Sequence, residues 1–276
     1  MSTFSAIASP SALRSIPLTD RSAKAVIDLV VESLDGTTAT GNGTGYVICA
    51  GGRYERYGYM TCRWIREQLK DDAPIEIWVG ENEEPVRFCE EVGAVCRIAD
   101  VPGGWPLKAR AVRSSAFETV LLFDADCLPI IHSSCMDSGE HGAMFFPDVG
   151  SHRKSDWAFQ ALGIKIQPFV ELEAGQLLIN RVQHAKAVAL VDYFNQRPEF
   201  FYQHHFGDKD TWALAFMRLG LSFTMGAPCS DQGWGLRHYL PDGTHYSDHL
   251  IRVKEGRQYS AVVQDYLEAY RDRFEA

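Results

Sequence analysis

Short apolar runs alternate with stretches of helical spacing through the first half of this chain. Residues 46–50, 74–80, 95–98 and 120–125 are runs rich in Val, Ile and Leu, the pattern of strands buried on both faces. Between them, residues 20–34, 59–69, 85–92 and 107–117 place apolar side chains three and four apart, which predicts helices. Thr19 or Asp20 would cap the first helix, and the glycine- and threonine-rich residues 35–45 read as a loop. The alternation predicts an α/β fold with a mostly parallel central sheet flanked by helices. Further on, 142–148 reads as a strand, 171–180 leads from polar residues into another, and 181–195 and 211–219 read as helices. The chain then divides into a tail and peripheral helix (1–44), a main domain (45–255) and a C-terminal helix (256–276).

The run 120–125 ends in Asp124-Ala125-Asp126, with Pro129 just beyond. Two carboxylates at the mouth of a buried strand repel each other and are costly to desolvate unless a cation sits between them. Hard oxygen ligands suit magnesium or manganese, and a divalent ion carrying a diphosphate would satisfy both carboxylates. A solvated turn explains a lone Asp-x-Asp equally well, so the surroundings decide. In an open parallel sheet, ligands gather outside the carboxyl ends of the strands. Gly51, Gly52, Glu81 and Asp124 stand at such ends. Small residues at Gly51 and Gly52 would let a nucleotide approach the backbone, although a tight turn explains the pair too.

Lys108 and Arg110 lie two apart on a predicted helix and cannot face one ligand together. Arg110 and Arg113 read as a solvated basic face. Glu173, Gly175 and Gln176 precede an apolar strand, where a substrate could meet them. Asp208 and Asp210 stand before the helix at 211–219, where they serve either as first-turn acids or as ligand contacts. Among His238, His245 and His249, one would complete a metal site if the tail folds back over the sheet, with Lys254 close by for phosphate.

Composition narrows the classes. The 276 residues are 46% hydrophobic and 23% charged, as in a globular protein with a substantial core. With 27 basic and 36 acidic residues, the net charge of −9 argues against general nucleic-acid binding. Seven scattered cysteines form no disulfide framework and suggest a reducing, cytoplasmic setting. Cys127, His132, Cys135 and His141 match no standard zinc-finger spacing. No 18-residue apolar run is present, so no membrane span is expected, and the Ser- and Ala-rich start reads as a frayed tail.

Taken in order, Val47-Ile48-Cys49-Ala50-Gly51-Gly52, Ile75-Glu76-Ile77-Trp78, Lys108-Ala109-Arg110-Ala111, Ser115-Ala116-Phe117-Glu118-Thr119-Val120, Phe123-Asp124-Ala125-Asp126, Glu173-Ala174-Gly175-Gln176 and Gly207-Asp208-Lys209-Asp210-Thr211-Trp212 form a familiar series. It resembles the fungal α-mannosyltransferases that extend mannan side chains, of the GT-A glycosyltransferase fold and the glycogenin-like superfamily, over roughly residues 45–255. The resemblance implies a nucleoside-diphosphate sugar donor and a divalent metal, Mn2+ or Mg2+, at Asp124 and Asp126. It also implies transfer of a hexose, mannose favoured as GDP-mannose, with retention of configuration. Gly51, Gly52 and Glu81 would surround the nucleotide, with Lys108 near it or its phosphates. Glu173, Gln176, Asp208 and Asp210 would face the transferred sugar or the acceptor. His249 and Lys254 would close on the metal and diphosphate. Here the tail reads His249-Leu250-Ile251-Arg252-Val253-Lys254, whereas glycogenin-like enzymes have His-x-x-Gly-x-x-Lys-Pro-Trp. The fungal enzymes also carry an N-terminal membrane anchor.

Glycosyl transfer builds negative charge on the departing diphosphate and positive charge on the anomeric carbon. Glu173, Asp208 and Asp210 are the carboxylates that could stabilise the latter. The acceptor would be a glycan, a lipid-linked sugar, a protein or a small metabolite. Two other readings stand beside this one. The first is a phosphohydrolase with Asp124 as nucleophile and Asp126 as general acid. The second is a sugar-nucleotide binding protein without turnover.

Overall fold

The structure is a computed structural model that describes residues 13–19, 21–150, 157–165 and 170–275. Residues 1–12 of the expected tail, and the candidate cap Asp20, lie outside the described residues. The predicted strands form in sequence order: β1 Thr44–Cys49, β2 Ile75–Val79, β3 Ala94–Ile98 and β4 Thr119–Asp124. Next come β5 Cys127–Pro129, β6 Ala143–Pro147, β7 Leu172–Asn180, β8 Thr224–Met225, β9 Ala227–Asp231, β10 Leu236–Tyr239 and β11 His245–His249.

One sheet has the order β3-β2-β1-β4-β7-β6-β8. Strands β3, β2, β1 and β4 run parallel, β7 is antiparallel to both β4 and β6, and β8 is parallel to β6. The expected mixed α/β architecture, with a mostly parallel central sheet and helices on its faces, is what forms. Alternate strand residues feed two separate cores. Val47, Val120, Leu122 and Ile179 pack on one face with α1 (Ala23–Ser33), α3 (Trp105–Ser114), α4 (Ala185–Asn195) and α5 (Thr211–Arg218). Tyr46, Ile48, Leu121, Phe123 and Leu178 pack on the other with α2 (Glu55–Arg63) and α6 (Ala261–Phe274). The C-terminal helix α6 therefore shares a core with α2. Among the described residues, no helix is long and apolar enough to cross a membrane.

A second, antiparallel sheet of order β5-β11-β10-β9 was not expected. Its β5 begins immediately after Asp126, and the register sets His249 of β11 opposite Cys127. The Leu250 N–H donates to the Asp126 carbonyl at 2.8 Å. This small sheet is the device that folds the tail back over the main one.

Three local expectations are corrected. Residues 85–92 form turns rather than a helix, because the segment carries Phe88 into the core by a short path into β3. The first helix begins at Ala23, later than expected, with Ser22 at the N-cap position making no side-chain cap and Thr19 Oγ1 accepting the Ser22 N–H at 3.3 Å. Arg110 is not on a solvated face. It is buried and its guanidinium grips Asp192 with two bonds of 3.1 Å, while Arg113 reaches the same carboxylate from one turn further on.

Candidate active site

The parallel register places Cys49 of β1 beside Asp124 of β4, so Gly51 and the aspartates lie at the carboxyl ends of neighbouring strands. The antiparallel β7 brings its beginning to that same end of the sheet, with Gln176 opposite Phe123 and Glu173 and Gly175 just beyond. There the chain encloses a cavity of about 620 Å³ lined by Gly51, Tyr54, Glu83, Trp105, Lys108, Asp124, Asp126, Glu173, Tyr202, Phe206, Asp208, His249 and Lys254, among others.

At its floor, one atom each from Asp124, Asp126 and His249 come within 4.8 Å of one another. His249 Nε2 is 3.4 Å from Asp126 Oδ1 and 4.0 Å from Asp124 Oδ2. Burial works against charge on the imidazole, yet Glu173 and Asp126 beside it push its pKa well above the ordinary value. Asp126 pays no such penalty in the end. Burial opposes its ionisation, but His249 and Lys254, whose Nζ lies 2.6 Å away, hold its carboxyl well below the usual range. Three converging, anionic or imidazole donors around one point form a donor set that fits a divalent cation.

Behind His249 stands Glu173, whose Oε2 is 3.2 Å from His249 Nδ1 and accepts from the Gly175 N–H at 2.8 Å. His238 Nε2 is 3.7 Å from the same oxygen. Burial opposes the charge on Glu173, but His249, His238 and Lys108 hold its carboxyl well below the ordinary range. Burial also pulls His238 down to about 4, which keeps it neutral. A carboxylate bound to one imidazole nitrogen orients the other nitrogen toward a metal and raises its basicity. Glu173 is thus placed to hold the histidine while also lining the cavity. Gly175 permits this, since a Cβ there would fall 2.4 Å from His249 Nδ1.

Lys108 is buried, and its ammonium lies 3.0 Å from Asp124 Oδ2, 3.0 Å from Ala174 O and 3.6 Å from Asp208 Oδ1. Burial disfavours its charge, yet Asp124, Asp208 and Glu173 raise its pKa. It fastens Asp124 to Asp208, with its donors already directed at protein oxygens. Asp208 is buried at the cavity wall. Burial, only partly offset by Lys108, lifts its pKa to about 6, and its Oδ2 accepts no hydrogen bond.

Several residues read from the sequence fall elsewhere. Asp210 is fully buried, accepts from the Leu172 N–H at 3.0 Å and faces His205 Nδ1 at 3.4 Å, so it ties β7 to α5. Gln176 is buried beneath the cavity, where Cys127 Sγ donates to its Oε1 at 3.1 Å. Glu81 is exposed and does not line the cavity. Its place is taken by Glu83, because the turn after β2 brings the third residue back onto the Gly80 N–H at 2.8 Å. The smallness of Gly51 serves that same side chain, for a Cβ there would meet the Glu83 carboxylate at 2.0 Å. Gly52 is exposed beside it. Of the tail histidines, His249 reaches the aspartates, His238 backs Glu173, and His245 bonds Asp248 at 2.8 Å. Lys209, between the two candidate aspartates, is buried on Asp148 at 2.6 Å. The sequence reading missed Tyr54, Trp105, Tyr202 and Phe206, whose signal was only that aromatic residues flank the Gly-rich and Gly-Asp-Lys-Asp stretches.

A mannosyltransferase family model, Mannosyl_trans3, matches residues 164–228, the segment that carries Glu173 and Asp208. The α-1,2-mannosyltransferase MNN23 of Candida albicans is 23% identical across 88% of this chain and 54% of its own length.

The chain is similar to fungal α-1,2-mannosyltransferases.

MNN24 of the same yeast is 23% identical over 66% of this chain and 34% of its own. MNN2 of Saccharomyces cerevisiae is 21% identical over 70% and 43%. The chain spans about half or less of the length of these curated relatives. Among solved structures, a galactosyltransferase LgtC complex with donor and acceptor sugar analogues shares a TM-score of 0.46 at 16% identity, covering 62% of this chain and 70% of that one. The glycosyltransferase GlyE of Streptococcus pneumoniae gives 0.41 at 13% identity, over 66% of this chain and 45% of its own. The relatives are those anticipated from the ordered motifs, and they support a glycosyltransferase.

Proposed function

We propose that this protein is a metal-dependent, retaining glycosyltransferase that moves a hexose, mannose favoured, from a nucleoside-diphosphate sugar to an acceptor hydroxyl. The observation that carries the reading is the convergence of Asp124, Asp126 and His249 on one point of a cavity that also holds Lys254 and Asp208. Asp124, Asp126 and His249 would hold the cation, and the mixture of carboxylate and imidazole donors favours Mn2+ over Mg2+. Bound there, the ion supplies Lewis-acid neutralisation of the leaving diphosphate.

The protein's own groups do the rest. Lys254 sits on Asp126 with its side chain 30% exposed, placed to bind a phosphate oxygen as charge builds on it. Lys108 keeps Asp124 and Asp208 in fixed relation. Asp208, ionised above its raised pKa of about 6, offers a carboxylate that stabilises a cationic anomeric carbon more than a neutral ground state. Retention and the mannosyl donor rest on the likeness to the α-1,2-mannosyltransferases. The relatives add no support for a phosphohydrolase, since those named are mannosyltransferases.

The test is a thermal-shift panel of nucleoside diphosphates and nucleotide sugars, with manganese or chelator, on wild type and Asp126→Ala. A ligand that binds only the folded state raises the melting temperature. Metal-dependent stabilisation by one nucleotide, absent in the variant, supports the transferase. No shift with any nucleotide overturns it.

A further inference from the structure

Trp105 and Phe206 are large aromatic side chains left 45% and 56% exposed beside each other at the cavity, with ring centroids 5.6 Å apart. Exposing this much apolar surface forgoes burial that would stabilise the fold. The pair is nonetheless held in place. Tyr202 meets Trp105 edge-on at 5.4 Å and 85°. Gly207 crosses the indole with φ +69°, and a Cβ there would fall 2.7 Å from the ring. Only a residue without a side chain fits this conformation and this approach.

The location of the pair within the cavity limits what it can hold. Lys254 Nζ lies 2.6 Å from Asp126 and 5.3 Å from the Tyr54 ring, so Tyr54 stands at the diphosphate and nucleoside end. Phe206 and Gly207 lead directly into Asp208, whose carboxylate marks the end where the transferred hexose would sit. Asp208 itself is buried, whereas the rings are open to solvent. The rings and Asp208 line the same cavity, with Phe206 two residues from Asp208 along the chain.

A pyranose ring matches such a surface. Its C–H faces are apolar and carry slight positive charge, which suits the negative face of an aromatic ring, while its hydroxyl edge stays hydrated. We propose that Trp105 and Phe206 form a platform on which a sugar ring of the acceptor stacks. This rests on the glycosyltransferase reading and assigns these two residues to the acceptor side of that same site.

The experiment is steady-state kinetics with GDP-mannose, Mn2+ and a panel of mannose, glucose and galactose disaccharides as acceptors. The variants are Trp105→Ala, Trp105→Phe and Phe206→Ala, with melting temperature as the control for folding. The two alanine variants are expected to raise the acceptor KM about tenfold, with the donor KM within about twofold, and Trp105→Phe to stay within about threefold of wild type. An unchanged acceptor KM overturns the platform. Donor and acceptor KM rising together would assign the rings to the nucleotide sugar and also overturn it. Hydrolysis of GDP-mannose without transfer to any disaccharide would remove the sugar acceptor while leaving the donor reading intact. Absence of both hydrolysis and nucleotide-induced stabilisation would instead remove the transferase reading itself.

Discussion

Glu173 Oε2 lies 3.2 Å from His249 Nδ1, and the opposite nitrogen of that ring points at Asp126 Oδ1, 3.4 Å away. The carboxylate therefore fixes which imidazole nitrogen is free for a cation. Glu173 and Asp208 both line the cavity, yet their environments push their pKa values in opposite directions. Glu173 faces the His249 imidazole, and Asp208 faces the Lys108 ammonium.

Replacing Glu173 by Ala is expected to weaken Mn2+ binding by about ten- to a hundredfold, the usual cost of losing a carboxylate that orients a metal-binding histidine. Calorimetric titration of the metal into wild type and variant checks this. Equal affinities would show that Glu173 does not orient His249.

Gly175→Ala should have a sharper effect on the site than on the fold. Its new methyl would sit 2.4 Å from His249 Nδ1 and 2.7 Å from Glu173 Oε2, so the ring must shift. We expect Mn2+ binding to fall at least about tenfold. The far-ultraviolet spectrum should be retained, because β7 remains paired on both sides.

Asp208→Asn is expected to lower kcat by about a hundredfold or more, with metal binding retained. The folded-state pKa of Asp208 is raised to about 6 by burial, above its unfolded value. The carboxylate is thus a liability that grows as pH rises from the unfolded pKa through 6. Above that pH, the metal-free variant should melt higher than wild type, by roughly 1–3 kcal/mol of stability. In wild type, activity should decline as pH falls through 6. A variant that loses activity and melts lower at pH 8 would contradict this account.

Arg110→Ala leaves the fully buried Asp192 with Arg113 as its ion-pair partner among the described residues and Arg14 further off. Breaking a buried pair from one side costs about 3–5 kcal/mol, and the partial rescue by Arg113 should place this variant at the lower end. Urea denaturation measures the difference. The double replacement Arg110→Met with Asp192→Leu should recover much of the loss.

Asp71 provides a second pH-dependent feature, away from the site. Burial opposes its charge, but it accepts hydrogen bonds from Ser133 N, Ala73 N, Ser133 Oγ and Tyr46 Oη between 2.6 and 3.0 Å. Its folded pKa is consequently lowered. The stability it contributes is complete above the unfolded carboxylate pKa of about 4 and is lost as pH falls through the lower folded value. Asp71→Asn should cost about 1–3 kcal/mol at pH 7, and the gap from wild type should narrow in acid. A gap independent of pH would rule out this linkage.

Strand and helix periodicity in the sequence determined the parallel half of the sheet, since a run such as 120–125 has few conformations open to it other than a buried strand. The candidacy of Asp124 and Asp126 was legible for the same reason, because carboxylates at the end of such a run call for either solvent or a cationic partner. Tertiary structure alone decided which tail histidine joins them. His238, His245 and His249 carry identical chemistry, and the choice follows from the register that sets His249 opposite Cys127. It also decided between Glu173, Asp208 and Asp210. A carboxylate's role depends on what faces it: an imidazole for Glu173, the Lys108 ammonium at the cavity wall for Asp208, and the Leu172 N–H for Asp210. Those neighbours lie far apart in the chain, so local pattern carries no record of them.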